Sequence, residues 1–500
     1  MKSFSLITNL GLAAVLAVSA NAQNAPDNPL PPAPSAVLAQ YGAGTAAGSG
    51  KTFTAPTTFD GPGKIPVERA TADPLRLSLD DAISFGLTRN LRLITDRANL
   101  KIVKGDQLQV TNALVPSLSV NAYTNTQEIN LAAMGFKASS LAAFGLPPNQ
   151  IHTIVKVDVT QAQLKLNQTL FDAPAYELLR GAKDESDVVN LNTLAGRGDL
   201  VLAVSTAYLK VLADQSALTN AQALEQSAQT LFGQASEKLK AGVGTSLDAL
   251  RGQVEYQNRQ QQRISAENAL AKDIIQLNRI MGLPAEQQLV LTDTAPFEQL
   301  ADMDLDRAKT TAYQRRKDYL SVLAQMRVAD RERLAVKYQR LPTLSFGGFY
   351  GVIGETEGLY HGVFAATGSL KFPIFREAGQ RGDTEVITAQ LMSLRQREAS
   401  LRVDIEAQIR SSMLDVNSAH DLVKVAQSNV DLARQELSDE QSRFSAGVDD
   451  NLPVVDAVAS LAGAQAQLVQ ALYQYNTAKL QLARNTGIVE SQYRTYLGTN

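Results

Sequence analysis

Val115-Pro116-Ser117-Leu118-Ser119 recurs as Leu341-Pro342-Thr343-Leu344-Ser345, 226 residues further on, and this pair of segments decides how the chain folds. Each opens an alternating run. After Pro116, Leu118, Val120 and Ala122 interleave with Ser119, Asn121 and Tyr123; after Pro342, Leu344, Phe346, Gly348 and Tyr350 mark one face. Period-two alternation is the pattern of a strand with two unlike sides. The same offset relates Leu79-Asp80-Asp81-Ala82 to Leu305-Asp306-Arg307-Ala308. Further along, the offset becomes 205: Ala241-Gly242-Val243 returns as Ala446-Gly447-Val448, and Gly282 as Gly487. The first copy therefore holds roughly twenty extra residues between Ser119 and Gly242, and the chain is one unit built twice.

Long helical patterns surround each strand pair. A helix is predicted from about Ser78 to Ala113, stopped by Pro116. The next strand, Thr153 to Phe171, changes phase near Gln161: Val155, Val157 and Val159 precede it, Ala162, Leu164 and Leu166 follow. A bulge at Gln161 is the expected reconciliation. Asp172-Ala173-Pro174 caps a helix reaching about Leu239, which at 1.5 Å per residue is roughly 100 Å long. The chain reverses at 241–245 and a second helix returns to Met281. In the second copy a helix is expected from about Asp304 to Tyr338. It leads into a strand whose partner carries Phe364, Ala366, Gly368, Leu370, Phe372 and Ile374 on one face. A helix from about Ala378 to Phe444, a turn at 446–452 and a return helix to Asn485 complete that copy.

The long helices carry a heptad. Ile409, Val416, Val423, Val430, Leu437 and Phe444 lie seven apart, with Ala419, Ala426 and Ala433 three further on. Large residues facing Ala suit two closely packed coiled-coil helices. The matching positions of the first copy include Glu225 and Asp214, which interrupt the seam.

The expected segmentation is a signal peptide over 1–22, a Pro/Ala/Gly-rich linker over 23–75 and a first repeat over 76–286, with its strand pair at 114–171. A connector follows over 287–303, then a second repeat over 304–489 with its strand pair at 341–375, and a tail over 490–500. The signal reading rests on Lys2, an apolar run from Leu10 to Val18 and the small-x-small site Ala20-Asn21-Ala22. No later stretch supplies about 18 uninterrupted apolar residues, so export without a transmembrane helix is expected. Net charge is −3, which offers no basic field for nucleic acid. With no Cys, the chain has no disulfide, thiolate metal site, Cys nucleophile or lipid-modified Cys. Three scattered histidines, His152, His361 and His420, give a metal little to bind. Gly42 to Thr52 imitates a phosphate loop, but no strand precedes it and no helix follows. No cofactor, metal or enzymatic activity is expected.

Four strands of this length can cross a bilayer when tilted, yet four cannot close, and an open edge is not tolerated in lipid. Other copies must complete the sheet; a trimer gives an even twelve. Aromatics gather there, among them Tyr123, Phe171, Phe346, Tyr350, Tyr360, Phe364 and Phe375, as interfacial girdles require. The other reading of the strands is a small soluble sheet packed on a helix.

Two ordered copies of helix, strand pair and long hairpin carry a family resemblance. The pairs begin at Pro116 and Pro342 and end at Leu170-Phe171-Asp172 and Ile374-Phe375-Arg376, and each hairpin turns at Ala-Gly-Val. Over about residues 75 to 490 the chain resembles the TolC-type outer membrane efflux family. The resemblance implies a homotrimer in the bacterial outer membrane, a twelve-stranded barrel continuous with an α-helical periplasmic tunnel. It implies a passive exit duct for a tripartite efflux pump or a type I secretion system. The implied partners are a periplasmic adaptor, an inner-membrane pump of the RND, ABC or MFS type, and outer membrane lipid. The helix turns would form the closed periplasmic end and contact the adaptor through Gly242, Val243, Thr245, Gly447 and Val448. Asp456 matches one of the family's aperture carboxylates, Pro453 stands at the other matching position, and Asp449 and Asp450 supply charge in the turn. Three copies of a carboxylate around a narrow pore favour cations. Asp449-Asp450-Asn451 also suits the capping of the returning helix. The alternative function is a periplasmic coiled-coil adaptor, which is expected to show one hairpin flanked by soluble β-domains rather than two equal copies.

Overall fold

The structure, a computed structural model, describes residues 70, 73–130, 132–133, 154–294, 296–301, 303–355 and 358–498. The signal peptide, nearly all of the linker, the Gly42–Thr52 segment, Phe136, Phe144 and His152 lie outside the described residues. The first repeat comprises β1 (Leu75–Leu77), α1 (Leu79–Arg89), α2 (Leu91–Asn112), β2 (Ser117–Asn130), β3 (Ile154–Phe171), α3 (Ala173–Lys240) and α4 (Ser246–Met281). After β4 (Leu289–Leu291) the second repeat runs α5 (Leu305–Arg315), α6 (Lys317–Tyr338), β5 (Thr343–Glu355), β6 (Tyr360–Lys371), α7 (Glu377–Ser445) and α8 (Leu452–Asn485). A last helix, α9 (Val489–Leu497), follows.

Each expected helix before a strand pair is two helices. The breaks fall at equivalent residues, Asn90 and Arg316, both with extended backbone (ψ 126° and 119°). The cause is tertiary. Asn90 Nδ2 donates to Ile280 O at 2.9 Å, and Arg316 Nη1 donates to Asn485 O at 3.3 Å, so each break residue binds the carbonyl where its own hairpin ends. Gly282 and Gly487 end those hairpins in the left-handed conformation, φ +76° and +77°, against the same breaks. The duplication is thus exact at the joint and lost just beyond it. β1 pairs in parallel with β4, whereas the equivalent of β4 lies in α9, where Val489, Tyr496 and Leu497 are buried. The tail expected over 490–500 is therefore a packed helix up to Leu497.

The helices form one layer whose neighbours are α2, α3, α6 and α7 on the sheet side of the joints and α4, α3, α8 and α7 beyond them. Both ends of this layer carry exposed apolar residues. On α7 these are Met392, Val403, Leu414 and Val425, eleven residues apart. Eleven residues are close to three helical turns, so they form a line along the helix. On the opposite edge Leu91, Ile102 and Leu108 of α2 and Leu250, Val254 and Ile264 of α4 are exposed. Among the described helices α8 has an 18-residue stretch of mean hydropathy 1.3. Its apolar residues Val454, Val458 and Leu461 are buried in a cluster with Leu224, Leu231 and Val430, and its Asn476 and Lys479 bond the connector carbonyls of Pro296 and Glu298. It is a packing helix.

The interrupted seam is explained by charge pairing. Glu225 meets Arg263 at 2.7 Å and Asp214 meets Lys210, which also reaches Asp273 at 3.2 Å. The apolar contact moves one residue along, to Leu224 and Leu231. A second buried acid lies between α3 and α6. Glu332 is 6% exposed, its Oε1 has no partner among the described residues, and Glu185 faces it. Burial first, then the Glu185 charge, raises its pKa from 4.5 to about 7. A raised carboxyl pKa stabilises the fold below the unfolded value and loses that stability as pH rises through the folded one. The window is pH 4.5 to about 7. Glu332→Gln is therefore expected to match the wild type in melting temperature at pH 4 and to exceed it at pH 8. The gap approaches about 3 kcal/mol at most. Melting curves across that range check it; a constant difference would place the effect elsewhere.

The sheet has the order β2-β3-β5-β6, antiparallel throughout, and leaves β2 and β6 as free edges. Pro116 and Pro342 directly precede β2 and β5, and Phe171 ends β3, but β6 stops at Lys371 rather than at Phe375. Lys371 already faces Thr343, the first residue of β5, and Pro373 has no N–H to extend the ladder. Nor is there a bulge at Gln161: the β2–β3 register is unbroken from Ser117↔Asn167 to Asn130↔Ile154, and the irregularity lies between Thr169 and Phe171. The phase change is real but is a change of face chemistry. Rows Leu118/Leu166/Gly348/Ala366 and Val120/Leu164/Tyr350/Phe364 make one side apolar. Further out that side carries Thr124/Thr160, Thr126/Asp158 and Glu128/Lys156 instead.

Candidate functional site at the hairpin tips

The two hairpin turns lie side by side and are tied together. At the first, α3 ends on Lys240, Gly242 takes φ +77°, and Thr245 caps α4 by accepting the Asp248 N–H at 3.0 Å. At the second, α7 ends on Ser445 and Gly447 takes φ +73°. Both turns use glycine because an L side chain is strained there. Val243 and Val448 stand at the extreme tips, 78% and 69% exposed.

Three contacts cross between the hairpins. Lys238 Nζ donates to Phe444 O at 2.8 Å and sits 3.7 Å from the centre of the Phe444 ring. Asn451, fully buried, donates from Nδ2 to Asp248 O at 2.7 Å. Arg251 meets Asp450 at 3.3 Å. Of the carboxylates singled out in the sequence, Asp449 pairs with Arg443 on its own hairpin and Asp450 with Arg251 of the other. Asp450 Oδ1 also accepts the Leu452 N–H at 3.1 Å, so the capping reading holds for Asp450, whereas Asn451 makes no side-chain cap bond. Asp456 is exposed one turn into α8, with no partner among the described residues. Sequence reasoning missed Lys238, Arg251 and the inward role of Asn451. Nothing in a local pattern marks a side chain that bonds a backbone some 200 residues away.

Among the described residues no group of three or more His, Asp or Glu could hold a metal. What the arrangement offers is a pair of glycine-hinged tips, with acidic side chains and exposed valines, at the far end of a helix layer from an open-edged sheet with one apolar face. That combination suits a subunit of an export channel. The chain belongs to the outer membrane efflux protein family, whose profile matches residues 87–283 and 308–488. The two matched blocks are the two repeats. The alkaline protease secretion protein AprF of Pseudomonas aeruginosa is 25% identical over 347 residues, 65% of this chain and 69% of its own. The outer membrane protein TolC of Vibrio cholerae is 23% identical, covering 67% of this chain and 78% of its own. In fold, the chain resembles the Campylobacter jejuni CmeC outer membrane channel (TM-score 0.70, 13% identity, 82% of this chain and 86% of that one). It also resembles the outer-membrane channel OprN (TM-score 0.69, 14% identity, 82% and 89%). The chain is an outer membrane efflux or secretion channel, and the periplasmic adaptor reading does not stand.

Proposed function

We propose that three copies of this chain assemble into a duct in which β2-β3-β5-β6 supplies one third of a twelve-stranded barrel and the helix layer one third of a periplasmic tunnel. The observation that carries the reading is that sheet and helix layer are both open at both ends. β2 and β6 run in opposite directions, so β6 of one copy beside β2 of the next continues the antiparallel alternation without a defect. The apolar line on α7 likewise has its complement in the apolar residues of α2 and α4 on the other edge. The apolar rows of that side run along β5 from Leu344 to Val352. Eight steps of about 3.3 Å tilted by about 40° give a band roughly 20 Å tall, close to the height of the lipid-facing band of such barrels.

In this duct the hairpin tips close the periplasmic end. A periplasmic adaptor grips the turns at Gly242, Val243, Thr245, Gly447 and Val448, and an inner-membrane pump of the RND, ABC or MFS type supplies the energy. Asp449, Asp450 and Asp456 charge the aperture. The likeness to AprF favours protein secretion by a type I system and that to TolC leaves drug efflux equally open; the signal-like pattern over 1–22 supports export. The absence of Cys makes the test clean. Cysteines placed singly along the middle of β6, each combined with Ala122→Cys in β2, are expected to yield covalent trimers in oxidised membranes, with no cross-linking by either single variant. A scan that gives only monomers under conditions where the protein is membrane-embedded would end the trimer reading.

A further inference from the structure

We infer that the barrel end of the duct is a cationic filter set by Lys165, selecting anionic solutes where the hairpin end carries acids. The inference rests on the trimeric barrel proposed above and names the charge of what its outer half admits. Up to the irregularity after Thr169, the register puts the odd-numbered residues of the four strands on the side opposite the apolar one, at Ser117/Asn167/Gly347/Thr367, Ser119/Lys165/Phe349/Ala365, Asn121/Gln163/Gly351/Val363 and Tyr123/Gln161/Ile353/His361. With the apolar side in lipid, this polar side lines the lumen.

Along the described strands, that side holds two lysines, Lys165 and Lys371, and one carboxylate, Glu355. Lys165 is exposed and makes no ion pair among the described residues. Glu355 faces Val159, six residues further out than Lys165, or about 20 Å at the strand rise, beyond a Debye length of about 8 Å. Lys371 lies the same six steps away in the opposite direction, measured along β5 from Phe349 to Thr343. The acids Glu128 and Asp158 are on the other side of the sheet, Asp158 beside Lys156 at 3.3 Å. The neighbours of Lys165 on its own side are Ser119 and Phe349 directly opposite, with Asn121, Gln163, Asn167 and the glycines Gly347 and Gly351 around them, none of which carries charge. Each copy of this lysine, uncompensated among the described residues and set in a low-dielectric wall, gives its own stretch of the lumen a positive potential.

Ser119 faces Lys165 directly and differs from cysteine by one atom. Ser119→Cys in the full chain, reconstituted in liposomes, can be titrated with an anionic and a cationic methanethiosulfonate of similar size, with Lys165 intact and with Lys165→Gln. Val120→Cys, on the apolar side, is the control. The expected result is that the anionic reagent reacts about tenfold faster than the cationic one when Lys165 is present. That preference falls to near unity in Lys165→Gln and shrinks with salt. Equal preference in both backgrounds overturns the filter while leaving the channel reading intact. Reaction at Val120→Cys without reaction at Ser119→Cys would instead remove the barrel geometry, and the filter with it.

Discussion

Gly487→Ala is expected to lower the stability of the chain by about 3 kcal/mol or more, while Gly447→Ala costs only about 1 kcal/mol. Both glycines are left-handed, φ +77° and +73°, so the conformational strain of a β-carbon is the same at each. Space separates them. At Gly447 an added Cβ meets nothing within 4 Å; at Gly487 it comes to 2.7 Å from Arg316 N and 2.9 Å from Arg315 C. Backbone cannot step aside as a flexible side chain can. Gly487 N–H also closes the helix end on Arg484 O at 2.9 Å, with Ile488 N–H on Ala483 O at 3.0 Å, so the turn cannot relax outward without losing both bonds. Gly282 stands in the same relation to Arg89 O, at 2.8 Å, and predicts a similar loss in the first repeat. Thermal unfolding of the three alanine variants side by side is the measurement. Equal losses at Gly447 and Gly487 would mean that the joint tolerates a β-carbon and that its tight contact does not organise the repeats.

Duplication at offsets 226 and 205, the turns at Gly242 and Gly447, and the alternation after Pro116 and Pro342 are local patterns, and each led to an element now seen within a few residues of its expected place. The break at Arg316 was not legible, because Arg is no helix breaker by type; that at Asn90 had a local mark, since its side chain accepts the Arg92 N–H as an N-cap, yet both residues are also extended to reach a carbonyl at the end of a distant hairpin. The short β1 and β4 were missed for a similar reason, three residues being too few to show a period. The phase change at Gln161 was legible but misread. A bulge keeps one side apolar; here the strand stays regular and the two sides exchange character. The carboxylates at the tips stand out by type, whereas the ties between hairpins rest on Lys238 and Asn451, whose partners are backbone carbonyls and leave no mark in composition.

Removing those two ties is expected to open the duct. The Arg251–Asp450 pair is the obvious latch, yet its side chains are 32% and 54% exposed, and such pairs contribute about 0–1 kcal/mol. Lys238 makes a charge-assisted bond to Phe444 O and also lies over the ring, while the Asn451 amide, fully buried, bonds Asp248 O. Bonds of these kinds contribute about 1–3 kcal/mol each. If the hairpin tips part on opening, Lys238→Ala with Asn451→Ala removes about 3 kcal/mol from the closed form, enough to move a closed–open equilibrium roughly a hundredfold. Arg251→Ala should move it less than about fivefold. In planar bilayers the double variant is expected to be mostly open where the wild type is mostly closed, with Arg251→Ala close to wild type. The reverse ranking, with Arg251→Ala open and the double variant closed, would assign the latch to the ion pair and leave Lys238 and Asn451 as packing alone.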